Sequence, residues 1–194
     1  MSLPFNPEEY APSIEQGLYM AHPKELNISP RYWLRMSVCG LASVVMQKIC
    51  DNHGVTTRLR QVGLNGTPEG VDSHVYVQVD NDERMIIDPT YSQFMCLVGL
   101  NPFVDQQLAH SAYPVAKIAV FDQNKCSEHA AGLADTMMSS RRNFPLEVKS
   151  GNFCAQPRHE MRRQLARIWD PLLAHEYQPS PGVRNAAELI LREI

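Results

Sequence analysis

Apolar and polar positions change period twice along the chain, and each change marks a change of element. Val38, Ala42, Val45, Met46 and Ile49 fall at helical spacing. Ser29 and Pro30 suit a helix start, as cap and first helical residue. His53-Gly54 suits its end, because glycine tolerates the left-handed position past a last turn. A short helix is also predicted within residues 8–20. From residue 55 to 64 the pattern turns β-branched and partly alternating, which predicts a strand. Residues 74–79 and 83–88 alternate on either side of Asp80, Asn81 and Asp82, which predicts a hairpin. Residues 65–70 carry turn residues and read as a loop. Residues 90–112 read as irregular or partly helical, and 116–122 as a further strand.

Beyond residue 127 the period lengthens again. Helices are predicted within 128–140, 159–177 and 183–194. In the second of these Met161, Leu165, Ile168, Leu172 and Leu173 make one stripe. The order of helices, a small antiparallel sheet and more helices predicts an α+β fold. At 194 residues the chain is expected to form a single domain. Residues 1–29 would be an N-terminal extension, 30–122 a core of helix plus sheet, and 123–194 a mainly helical part.

Composition narrows the function classes. Apolar residues are 44% of the chain, enough for a sizeable core, and the net charge of −3 gives no basic bias toward nucleic acid. The longest apolar stretches, such as 41–46, are too short to span a bilayer. The first residues lack the basic and apolar regions of a classical signal peptide. Cys39, Cys50, Cys96, Cys126 and Cys154 are odd in number and widely spaced, which argues against a disulfide framework or a zinc site. Thiols that stay reduced fit the cytoplasm; export of an effector by a route without such a peptide is also compatible.

The chemistry begins at the hairpin. His74 opens one strand and Asp88 ends the other, 14 positions apart. Side chains alternate along a strand, so loop length decides whether the two share a face. A three-residue loop at Asp80, Asn81 and Asp82 sets His74 directly opposite Asp88. A five-residue loop moves the pairing one step and keeps them on one face. A two- or four-residue loop separates them. In the favourable registers His74, Tyr76, Ile86 and Asp88 share one face, and Val75, Val77, Met85 and Ile87 the other. A carboxylate bonded to an imidazole fixes its tautomer and favours its protonated form. By itself such a pair is more often a partly exposed polar contact than a site.

Cys39 supplies something for the pair to act on. If Ser37 caps a helix, Cys39 sits in the first turn, facing unpaired backbone N–H groups and the positive end of the helix dipole. Gly40 beside it leaves room for a substrate, and the nearby N–H groups suit an oxyanion. If one helix runs unbroken through 30–50, Cys39 lies mid-helix and this argument fails. Cys50 reads as core, Cys96 as part of an apolar stretch, and Cys126 and Cys154 as residues of polar loops. His129, His159 and His175 match no metal-ligand spacing and read as surface or helix residues. Arg162-Arg163 reads as a solvated helix face, and Met137-Met138 as core. No motif requires a cofactor or metal.

The segments VCGLAS, SHVYVQV and MIIDPTYSQF, in the order Cys39, His74, Asp88, resemble the transglutaminase-like (papain-like) thiol enzymes. The resemblance covers roughly residues 35–95, and the Asp-Pro-Thr-Tyr after the second strand is its most specific part. Size and spacing are most similar to bacterial toxin and effector domains that deamidate glutamine. Arylamine acetyltransferases share the triad order without the same sequence around the cysteine, and lasso-peptide leader proteases are similar in spacing. The resemblance implies Cys39 as nucleophile, His74 as general acid and base, and Asp88 as the group orienting His74. It also implies an oxyanion hole with a second donor, for which Gln61 on the preceding strand is a candidate. The implied activity is deamidation of protein glutamine through a thioester. Peptide cleavage or acyl transfer by the same triad, and a non-catalytic interaction module on the same scaffold, are the alternatives. The implied partner is a protein or peptide substrate.

Overall fold

The computed structural model describes residues 3–21, 38–63, 73–80, 84–90, 118–141 and 158–194. Within them the fold is α+β. A short 3-10 turn at Pro7–Tyr10 leads into helix α1, Ala11–Ala21. Helix α2 is Val38–Asn52. Three strands follow: β1, Thr57–Gly63; β2, Ser73–Val79; and β3, Met85–Asp88. Strand β4, Ala119–Asp122, enters helix α3, Cys126–Arg141, through a 3-10 turn. Helix α4, Arg158–Ile168, a two-residue strand β5, His175–Glu176, and helix α5, Pro181–Leu191, complete the order.

The five strands form one antiparallel sheet in the order β4-β3-β2-β1-β5. Alternation divides its side chains between two packed layers. Leu59, Val77, Val79 and Ile87 join Ile14 and Leu18 of α1, Leu41, Val45, Met46 and Ile49 of α2, and Ala186 and Ile190 of α5 in one apolar core. Burying each such side chain is worth about 1.5–3 kcal/mol. The opposite face carries His74, Tyr76, Ile86, Asp88 and Phe121. Over it lie α3 and α4, held together by the Arg162 guanidinium, whose Nη2 donates to both Asp135 oxygens at 2.9 and 3.0 Å. The ladder places Tyr76 beside Arg60 of β1 and Phe121 of β4 beside Ile86.

Both ends of α2 bear on the sequence expectations. Among the described residues α2 begins at Val38, with Cys39 next; positions 29–37, which decide whether Cys39 lies in a first turn, lie outside the described residues. At the other end Gly54 has φ 70°. Its N–H donates to the Asp51 carbonyl and that of Val55 to the Cys50 carbonyl, both at 2.9 Å. This paired closure satisfies carbonyls that the helix leaves open.

Two expectations need correction. The pairs Val77–Ile87 and Gln78–Ile86 set the hairpin register. Continued along the ladder, Asp88 stands opposite Tyr76 and diagonal to His74, not directly opposite. The connection is residues 80–84, the five-residue alternative rather than three, and Arg84 is left-handed at φ 47°; 81–83 lie outside the described residues. The even offset keeps both residues on one face. The second correction concerns the 159–177 helix. It ends at Ile168, because Pro171 cannot continue a helix and disfavours helical backbone at Asp170. Leu172 is 91% exposed and Leu173 42%, so neither extends the apolar stripe. His175–Glu176 instead pairs with Arg60 and Gln61 at the sheet edge. The 65–70 loop and most of 90–112 lie outside the described residues. Among the described residues no helix is long and apolar enough to cross a membrane.

Candidate active site

Strand β2 fixes His74. Its backbone pairs with Val62 of β1, and its side chain is wholly buried. The Asp88 carboxylate lies diagonally across the hairpin, also wholly buried. The imidazole spans the diagonal, with Nε2 2.7 Å from Asp88 Oδ2. Asp88 is further held from two directions. Trp169 Nε1–H donates to Oδ2 at 2.8 Å, and the Thr90 backbone N–H donates to Oδ1 at 3.0 Å. A buried carboxylate is costly unless its lone pairs are met; three donors meet them here.

The Cys39 side chain is the third member. Cys39 and Ser43 are four residues apart and so share a face of α2. Ser43 Oγ donates to the Val75 carbonyl at 3.0 Å, next in chain to His74. That bond ties the first turns of α2 to the start of β2 and brings the thiol within hydrogen-bonding reach of the imidazole. With Nε2 engaged by Asp88, Nδ1 is the nitrogen left for sulfur. Cys39 is 6% exposed.

The electrostatics follow from these contacts. Burial alone would push His74 down by disfavouring the imidazolium. The Asp88 charge and hydrogen bond, with smaller contributions from Cys39, outweigh it and raise His74 to about 10. At neutral pH the ring is therefore an imidazolium, donating to Asp88 on one side and to the sulfur on the other. Burial also pushes the neighbouring Tyr76 phenol up, against the opposing influence of Arg60.

Trp169 itself is clamped. Phe121 and His129 stack with centroids 4.1 Å apart, and the indole meets both edge-on at 5.2 and 5.0 Å. Burial lowers His129 below its usual value, against the pull of the Asp88 charge. His129 thus lies on a helix as expected, α3, and serves there as an aromatic wall rather than a solvated residue. Sequence reasoning missed Trp169 and Ser43. Trp169 had no local signal, whereas the four-residue spacing of Ser43 from Cys39 was available.

The remaining candidates fall elsewhere. Gln61 lies on β1 opposite Val75, and its Nε2 donates to Ser73 Oγ at 2.9 Å. Cys50 is fully buried, and burial followed by the Asp51 charge pushes its thiol up to about 12. Cys126 is not in a polar loop: it opens α3, buried, and its Sγ donates to the Trp169 carbonyl at 3.7 Å. The α3 backbone turns it inward beneath Trp169. Cys96 and Cys154 lie outside the described residues. His159 and His175 are exposed, and among the described residues no three metal-ligating side chains gather. Comparison of the chain with protein-family models, curated proteins and solved structures finds no match.

Proposed function

We propose that the protein is a cysteine-dependent amide hydrolase or acyltransferase that works through a thioester on Cys39, with a glutamine side chain as its favoured substrate. The observation that carries this reading is the buried, hydrogen-bonded line Cys39–His74–Asp88. The likeness of VCGLAS, SHVYVQV and MIIDPTY to transglutaminase-like thiol enzymes agrees with it. So does the restricted access to Cys39: a slender primary carboxamide reaches a nearly covered sulfur more readily than a backbone carbonyl does.

The chemistry runs in two halves. The sulfur adds to the carboxamide carbon, and the C–N bond breaks as ammonia leaves with a proton from the His74 imidazolium. The neutral imidazole, still oriented by Asp88, then takes a proton from water as the water oxygen attacks the thioester. Sulfur leaves, and the product is a carboxylic acid.

Labelling with iodoacetamide, resolved by peptide mass spectrometry, tests the reading. Cys39 is expected to react far faster than Cys50, Cys96, Cys126 and Cys154; equal labelling of all five would sink the proposal. Product mass then identifies the reaction, since deamidation adds about one dalton without breaking the substrate chain.

A further inference from the structure

A side chain outside the triad also meets the first turn of α2. Tyr177 follows β5 directly, and its backbone N–H donates to the Leu59 carbonyl at 3.0 Å, which pins it to β1. Its ring is partly buried against the apolar core. A Cβ placed on Gly40 would lie 2.8 Å from the Tyr177 hydroxyl oxygen and 3.3 Å from Cζ. Any residue but glycine at 40 would thus displace that hydroxyl, and position 40 is next in chain to the nucleophile. Gln61, the sequence candidate for a second donor, gives one amide N–H to Ser73.

We propose that Tyr177 is a catalytic hydroxyl of this site, whose O–H joins the Cys39 backbone N–H in receiving the oxyanion formed when sulfur adds to a carbonyl. The inference rests on the thiol-enzyme reading. In the thiol-enzyme reading the nucleophile's own backbone N–H is one oxyanion donor, and Tyr177 supplies the other. Burial pushes the Tyr177 phenol above its usual value, and the charge of Cys39 acts in the same direction. The hydroxyl therefore keeps its proton at neutral pH. In the step itself the sulfur lone pair forms the C–S bond and the carbonyl π pair moves onto oxygen, where the two donors meet it. When the pair returns, the bond to the leaving group breaks.

Two reactions of the same sulfur separate this role from a structural one. Acylation by p-nitrophenyl acetate passes through an oxyanion and expels p-nitrophenolate; alkylation by iodoacetamide displaces iodide at a saturated carbon and forms none. In Tyr177→Phe, which keeps the ring and the bond to Leu59, acylation of Cys39 should slow about 10²-fold, the scale of one oxyanion donor. Alkylation should stay within about twofold. Gly40→Ala, by moving the hydroxyl aside, should reproduce the selective loss, and Gly40→Ala/Tyr177→Phe should be no worse than the weaker single variant. Unchanged acylation in Tyr177→Phe, or acylation and alkylation slowing together, overturns the proposal. Wild-type acylation that survives Cys39→Ala overturns the thiol-enzyme reading itself.

Discussion

α2 carries two buried cysteines, and they sit in opposite electrostatic company. Cys39 and Cys50 are eleven residues apart, close to a whole number of turns, so both thiols face nearly the same way. Both are buried, at 6% and 0% exposure. What differs is the company. At the Val38 end, the His74 imidazolium meets the sulfur. At the last turn, apolar packing and the Asp51 carboxylate meet it, and the thiol is pushed up to about 12. Neither burial nor helix face separates the two thiols here. The sign of the neighbouring charge does.

The largest break in that contrast comes from Asp88→Asn. The amide keeps the shape of the carboxylate but not the charge that holds His74 protonated. Acylation of Cys39 should fall about 10²–10⁴-fold, while Cys50 stays as inert as before. The same substitution has a pH signature. His74 rises from 6.5 to about 10 on folding, so the folded state binds that proton more tightly than the unfolded chain does. The resulting stabilisation is complete below pH 6.5 and is lost as pH rises through about 10. Urea unfolding of the wild type at intervals between these limits should show stability declining; in Asp88→Asn the decline should flatten. An equally steep decline in the variant would mean that some other group carries it.

Trp169→Phe acts one contact further out. Phenylalanine keeps most of the edge-on packing against Phe121 and His129 but removes the donor to Asp88 Oδ2. A lost hydrogen bond to a buried charge costs about 1.5–3 kcal/mol. Thermal or urea unfolding should register that loss, and acylation of Cys39 should slow about 10-fold, less than the roughly 10²–10⁴-fold that losing an acid–base group costs. A stability loss with unchanged acylation would make Trp169 only a prop for the sheet.

What the chain disclosed in advance follows the range of the interactions. The even separation of His74 and Asp88 placed them on one face whatever odd loop joined them, and side-chain alternation alone delivered that. The exact pairing was not legible, because it turned on residues 80–84 and on Arg84 adopting φ 47°, a conformation its side chain does not advertise. The apolar stripe through Met161, Leu165 and Ile168 runs on in sequence to Leu172 and Leu173, but Pro171 breaks the helix before them. That break is what turns Trp169 under the sheet and Tyr177 back toward α2. Trp169 contacts Asp88 across 81 positions, and no local period encodes a contact of that span.

The smallest effect sharpens the comparison from the other side. Gly54 closes α2 at φ 70°, and a Cβ built there meets no atom within 4 Å. Gly54→Ala therefore adds no clash, and its whole cost is the left-handed backbone, about 1–2 kcal/mol for a residue with a Cβ. That cost falls on the hydrogen bonds from Gly54 to Asp51 and from Val55 to Cys50, three turns away from Cys39. Urea unfolding should show the loss, and the rates of Cys39 acylation and alkylation should be those of the wild type. If either rate moved, the two sites would be energetically coupled along α2, and Cys39 would owe its reactivity to more than His74.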